Sequence, residues 1–250
     1  MSELLAPDAC APAPGGRGAP ASNRQVMPAP SLQATRDARE IAWRLAAPET
    51  RTVQCRRGDI LLRSGTRFEG LHVIRAGCCK LVVTSPDGAE HIASFALPGE
   101  VIGLEALASG VHDTTVHALE PLSCWQIPAE RIDALLRHDG VFAQTLVHAF
   151  SLDAGRSLRG MLMLGTMTAH QRVASFLLDL ADRYHRLGFS GHAFELRMTR
   201  ADIGSHLGLS TETVSRVLSR LRTEGLAISS GRSIRLLDRT ALARILLHGD

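Results

Sequence analysis

The sequence predicts an α+β protein in three parts: a small antiparallel β-roll, one long helix, and a C-terminal unit in which two short helices precede a hairpin. Three observations predict it. Between Thr50 and Pro128, short β-type runs alternate with glycine turns spaced roughly ten residues apart. From about Val141 to Leu164, apolar residues recur mostly every three or four positions, the period of a helix. Beyond Thr199, capping residues, glycines and apolar positions fall into the spacing of two helices joined by a tight turn.

Residues 1–34 are rich in Ala, Pro, Gly and Ser and have little to bury, so they read as a disordered tail. Asp37 to Ala46 reads as a short helix ending before Pro48. The roll, residues 35–137, holds expected strands at Asp59–Leu62, Leu71–Arg75, Lys80–Thr84, His91–Leu97, Thr115–Leu119 and Ser123–Ile127. Ser85-Pro86-Asp87-Gly88 marks a turn, since Pro and Gly supply the backbone angles it needs. Pro128 opens a helix where its missing N–H costs nothing.

The long helix, residues 138–166, carries Phe142, Leu146, Phe150, Ala154, Leu158, Met161 and Leu164 as an apolar stripe. Such a stripe either lies across its own domain or faces a second copy of the chain. The second reading is favoured, with Leu146, Phe150, Leu158 and Met161 as the dimer contacts. Residues 167–250 form the last unit, beginning with a helix from Ala169 to Leu187 that Gly188 ends.

Composition excludes several classes of function. No apolar run approaches the ~20 residues that cross a bilayer, and no basic segment before an apolar stretch marks a signal peptide. The expected location is therefore the cytoplasm, with no membrane partner. Five cysteines, Cys10, Cys55, Cys78, Cys79 and Cys124, include no C-x-x-C pair and read mostly as reduced, buried thiols. Cys78 and Cys79 are adjacent on a strand, point to opposite faces, and are poor joint ligands for one metal. A β-roll metalloenzyme would need an H-x-H pair, and none occurs in the roll; phosphate-cradling and nucleophile-elbow motifs are also absent. The chain is expected not to be an enzyme. A net charge of +3 says little by itself, but Arg200, Arg216, Arg220, Arg222, Arg232, Arg235, Arg239 and Arg244 make the C-terminal part locally basic.

The chemistry concentrates between Thr199 and Leu218. Thr199 caps a first helix, with Asp202 at its positive end. Gly208 occupies the turn, and Gly204 is small where the two helices cross. Ile203, Leu207, Leu209, Val214 and Val217 fall inward, and Ser210 caps the second helix. Thr211, Glu212, Ser215 and Arg216 are left on its exposed N-terminal face. This is a helix-turn-helix, whose second helix enters the DNA major groove. Arg216 can donate two hydrogen bonds to guanine, Glu212 can accept from the cytosine amino group, and Ser215 can approach a thymine methyl. Thr199, Thr211, Thr213, Arg220 and Arg232 are further expected DNA contacts. Gly225 to Leu236 reads as a hairpin with a Ser-Gly turn, a wing on which Arg232 and Arg235 serve either as phosphate contacts or as ordinary surface charges.

At these residues the sequence resembles the CRP/FNR family of bacterial transcription regulators, from about Val53 to Leu246. MTRADIGSHLGLSTETVSR at 198–216 and FALPGEVIG at 95–103 carry it most specifically, with GDILLRSG at 58–65 and LHVIRAG at 71–77. The resemblance implies a cyclic-nucleotide-binding-like jelly roll, a dimerisation helix and a winged helix-turn-helix. The partners implied are double-stranded DNA, a second copy of the chain and RNA polymerase, and the role implied is activator, with repressor as the alternative. Glu212, Ser215 and Arg216 match the FNR-type E-x-x-S-R pattern, and Thr211 stands where the cyclic-AMP branch has arginine. The target implied is a palindrome of TTGAT-like half-sites.

The sensor departs from both familiar ligands. For an iron–sulfur cluster the tail offers only Cys10, and Trp125 stands at the expected central cysteine position, one place from Cys124. For cyclic AMP, the stretch Gly110 to Thr115 has no arginine to pair with phosphate and carries Asp113, although Pro98-Gly99-Glu100 survives as a turn. Both are disfavoured and no cofactor is expected. Haem, a nitrogen oxide, a redox-active thiol and control by expression level alone stay open as signals.

Overall fold

The computed structural model describes residues 50–248; the expected tail and the helix expected over 37–46 lie outside them. The roll runs through β1 (Arg51–Cys55), β2 (Ile60–Leu62), β3 (Gly70–Ala76), β4 (Cys79–Thr84), β5 (Glu90–Ala96), β6 (Val101–Ile102), the short helix α1 (Ala106–Ser109), β7 (Thr115–Ala118) and β8 (Leu122–Pro128). Two four-stranded antiparallel sheets form, in the orders β1-β8-β3-β6 and β2-β7-β4-β5. Alternation drives the packing: Val116 and Ala118 of β7 point inward beside Ile74, Cys79, Leu122 and Cys124. The Ser85–Gly88 turn forms as expected, closed by a Gly88 N–H to Ser85 carbonyl bond of 2.9 Å. β1 and β6 carry no expected counterpart: β1 precedes the first glycine turn of the roll, at Gly58, and β6 has only two residues.

β3 is buried on both faces. Its outward residues Leu71 and Val73 pack under α2 (Ala129–His138) and the first turns of α3 (Gly140–Thr166), against Ile132, Phe142 and Leu146. Asp139 caps α3 by accepting from the Val141 and Phe142 N–H groups at 3.0 Å each. At 27 residues, α3 is about 40 Å long and outruns the roll.

The expected dimer face needs one correction. Leu146 is 7% exposed and belongs to the core of its own roll, whereas Phe150, Leu158 and Met161 are exposed at 40%, 67% and 70%. Val147 and Leu162, which the stripe did not include, are exposed as well.

The C-terminal unit comprises α4 (Ala169–Arg186), β9 (Ala193–Glu195), α5 (Arg200–Leu207), α6 (Thr211–Thr223), β10 (Ala227–Ser230), β11 (Ser233–Leu236) and α7 (Arg239–His248). A Thr168–Gln171 capping box starts α4. The hairpin β10–β11 gains β9 as a third strand, in the order β10-β11-β9. The core of this unit extends across the boundary into the roll: Val82, Ile92, Phe95 and Leu97 pack in one cluster with Phe176, Leu180 and Ile203. The adjacent Cys78 and Cys79 part accordingly, Cys78 into that cluster and Cys79 into the sandwich interior.

Candidate nucleic-acid interface

Thr199 caps α5 reciprocally. Its hydroxyl accepts from the Asp202 N–H at 3.1 Å, and the Asp202 carboxylate accepts from the Thr199 N–H at 2.8 Å. The turn to α6 is held by two glycines of different kinds. Gly208 has φ +62° and ψ +40°, a left-handed cap that glycine adopts without strain. Gly204 has an ordinary helical backbone, but a Cβ there would stand 2.5 Å from the Leu209 carbonyl oxygen, whose residue returns its N–H to the Gly204 carbonyl at 2.9 Å. Ile203, Leu207, Val214 and Val217 are buried between the helices and Leu209 is partly buried.

Ser210 caps α6 by accepting from the Thr213 N–H at 3.1 Å. Thr211, Glu212, Arg216 and Arg220 lie exposed on the first three turns, and Thr213 and Ser215 are half-buried. Hydrogen bonds from its own backbone N–H and from Ser210 hold the Glu212 carboxyl below its ordinary value, so it stands ionised as an acceptor at the helix start. Arg216 donates to the Thr213 hydroxyl at 3.1 Å, which orients its guanidinium along the exposed face. Arg220 is committed to an ion pair with Glu224 at 2.7 Å.

Arg200, counted in the sequence only among the arginines that make this part basic, also reaches α6. From the start of α5 it donates to the Ser215 hydroxyl at 3.1 Å, while that hydroxyl donates to the Thr211 carbonyl at 2.9 Å. Its position directly after a capping threonine was the available signal. On the wing, Ser230 pairs with Ser233, so the connecting loop is Gly231-Arg232. Arg232 and Arg235 are exposed, and Ile234 and Leu236 point inward.

The helix pair is also tied to the roll. Lys80 of β4 pairs with Asp202 at 2.7 Å. The Ile92 N–H of β5 donates to the Ser205 hydroxyl at 3.1 Å, and the Ile92 carbonyl lies 3.1 Å from His206 Nδ1. The His206 ring stands edge-on to Phe95 at 5.3 Å. Deeper in, Arg183 of α4 donates to Glu100 at 2.7 and 3.1 Å and to the Phe95 carbonyl at 2.6 Å. Arg156 of α3 reaches the same carboxylate at 3.0 Å. Glu100, expected only to shape a turn, thus joins the roll, α3 and α4.

The stretch Gly110 to Thr115 carries no arginine. His112 is buried with Nδ1 3.3 Å from Glu105, Thr114 donates to the same carboxylate at 3.0 Å, and Asp113 is exposed. A cavity of the roll, about 460 Å³, is lined by His72, His112, Leu61, Leu62 and Gln126, with Arg63, Arg67 and Glu69 among its charged residues. Burial, and then His112, depress the His72 pKa to about 4, so His72 stays neutral. Burial pushes the Cys78 and Cys124 thiols up to about 12, far from thiolate chemistry at neutral pH. No described helix is long and apolar enough to cross a membrane.

Residues 52–139 match the cyclic nucleotide-binding domain family and residues 171–245 match the Crp-like helix-turn-helix domain family. The chain is 36% identical to the transcriptional activator protein Anr of Pseudomonas protegens over 183 residues, covering 73% of this chain and 75% of that protein. It is 33% identical to the fumarate and nitrate reduction regulatory protein of Escherichia coli K12 over 192 residues, 77% of each. Among solved structures, FixK2 of Bradyrhizobium japonicum superposes with a TM-score of 0.71 at 30% identity, over 78% of this chain and 96% of that one.

Proposed function

The chain belongs to the CRP/FNR family of transcription regulators, and from that premise we propose that it acts as a homodimer that reads FNR-type palindromes and activates transcription. The observation that carries this reading is the exposed, capped N-terminal face of α6, with Glu212, Ser215 and Arg216 side by side on it. In the proposed complex Arg216 forks onto guanine, Glu212 accepts from cytosine, and Ser215, steadied by Arg200, meets a thymine methyl. Thr199, Thr211, Thr213, Arg220 and Arg232 contribute contacts that set position rather than sequence.

The exposed apolar residues Val147, Phe150, Leu158, Met161 and Leu162 of α3 supply the dimer face, a strip too apolar to leave in water. Dimerisation along it brings two α6 helices to successive major grooves, about 34 Å apart. The names of the curated relatives, transcriptional activators among them, support activation, with RNA polymerase as the further partner. The signal is proposed to be something other than a cyclic nucleotide, given the paired His112 and exposed Asp113. The buried, high-pKa thiols Cys78 and Cys124 speak against a redox signal at those two positions.

Two measurements test the reading. The purified chain is titrated with a duplex carrying TTGAT and ATCAA half-sites four base pairs apart, beside a scrambled duplex. Selective binding is expected, and Arg216→Ala should weaken it by about 1–3 kcal/mol while relaxing the guanine preference. Equal affinity of parent and variant for the palindrome would remove Arg216 from the base-reading set. Arg232→Ala should weaken palindrome and scrambled DNA alike and reduce the slope of log affinity against log salt by about one. A sequence-dependent loss would make Arg232 a base reader instead.

A further inference from the structure

A cavity of about 270 Å³ opens where the Leu97–Val101 turn of the roll, the middle of α3 and the end of α4 meet. Leu97, Val101, Leu104, Ala149, Leu152 and Leu187 give it an apolar lining. His148, Arg156, Arg183 and Arg186 line it as well, and Glu100 is the only acid among the lining residues. Glu100 satisfies Arg183 and Arg156, each of which also meets an aspartate outside the cavity, Asp179 at 3.4 Å and Asp153 at 3.6 Å. Arg186 is exposed and makes no ion pair among the described residues. The cavity therefore presents one unmatched guanidinium within a largely apolar lining.

We infer that this junction binds a small organic monocarboxylate with an apolar body. One unmatched guanidinium calls for one negative charge, and a carboxylate accepts its paired N–H groups in a fork. The apolar lining disfavours a bare inorganic anion, which would lose its hydration there without apolar surface to bury. At ~30 Å³ for each water-sized group, the volume holds on the order of ten non-hydrogen atoms.

The mouth stays open in the proposed dimer. At about 100° per residue, Thr145, His148, Ala149, Leu152 and Arg156 share one face of α3, and Val147, Phe150, Leu158 and Met161 lie about 180° away. A ligand here touches roll, dimer helix and reader together, so its occupancy bears on how the reader is held. That consequence rests on the DNA-binding reading; the binding itself does not.

The test is calorimetric titration of the full chain with benzoate, with benzamide as a neutral molecule of the same shape. One benzoate per chain is expected, with benzamide at least about tenfold weaker, the scale of one lost charge-assisted pair. Arg186→Gln, an exposed change that leaves the fold alone, should weaken benzoate by a similar factor. Leu152→Glu, which sets a carboxylate into the mouth, should abolish it. Benzamide matching benzoate, indifference to Arg186→Gln, or no saturable heat with the parent overturns the inference. Palindrome binding is measured on the same samples, so a parent that takes benzoate but ignores the palindrome sinks the DNA reading and leaves the site standing.

Discussion

Glu100→Ala is expected to destabilise the protein by about 3–5 kcal/mol, the cost of breaking a buried ion pair from one side. The reason is what remains behind. Arg183 is only 6% exposed, and without Glu100 its guanidinium keeps the Phe95 carbonyl and a 3.4 Å approach to Asp179 but loses its closest counter-charge. Arg156 loses the same partner. The damage is not local, because that carboxylate is where the roll, α3 and α4 converge. Urea unfolding of parent and variant checks the magnitude, and a difference below about 1 kcal/mol, the scale of an exposed pair, would show that the network does not hold the junction.

The same group sets a pH dependence whose sign can be worked out. Burial alone would raise the Glu100 pKa, but Arg183 and Arg156 outweigh it and hold the carboxyl below its ordinary value. A depressed carboxylate stabilises the fold fully above its unfolded pKa, about 4.3, and loses that contribution as pH falls through the folded value. Glu100→Gln should therefore be least stable relative to the parent at neutral pH, with the gap narrowing below about pH 4.3. A gap that stays constant down to acid unfolding would assign the loss to shape rather than charge.

The helix-turn-helix was legible because its constraints lie close together in the chain. Two capping residues, a left-handed glycine, a small crossing residue and five apolar positions all fall within nineteen residues, 199–217. The principal roll strands were legible through their glycine turns. The ties between roll and reader were not, because Lys80 and Asp202 are 122 residues apart, Ile92 and Ser205 are 113, and Glu100 and Arg183 are 83. No local period reports such pairs, so Glu100 read only as part of a turn.

Leu146 shows a subtler limit. Phe142, Leu146, Phe150, Ala154 and Leu158 are four apart and look like one stripe, yet each step of four advances about 40° around the helix. By Leu158 the stripe has turned about 160°. Its start therefore faces the roll and its end faces away, which is why Phe142 and Leu146 are buried at home while Leu158 and Met161 stand in solvent. The first half of the helix thus lies across its own domain, and only the exposed second half is left for the proposed dimer.

Gly204→Val is expected to abolish selective DNA binding. The clash is with backbone: a Cβ at Gly204 would stand 2.5 Å from the Leu209 carbonyl oxygen and 3.5 Å from the Leu209 and Ser210 carbonyl carbons. No side-chain rotation relieves that contact, so the turn must lift and α6 must tilt relative to α5. Even alanine here should cost about 1–3 kcal/mol as overpacking, and the branched valine more. Because Leu209 leads directly into the Ser210 cap, the displacement passes straight to Glu212, Ser215 and Arg216. Gly208→Ala is the control, since it strains the same turn differently. Its left-handed backbone costs an alanine about 1–2 kcal/mol, but the nearest atoms to its Cβ are a Leu164 methyl at 3.2 Å and an Arg172 guanidinium nitrogen at 3.3 Å, side-chain atoms rather than the backbone of the turn. Anisotropy titrations with palindromic and scrambled duplexes, beside thermal melts, separate the two effects. Gly208→Ala should melt earlier yet discriminate between the duplexes like the parent, while Gly204→Val should bind both equally weakly. Discrimination retained by Gly204→Val would mean that the helix crossing tolerates a side chain, and that the placement of α6 does not depend on the close approach at Gly204.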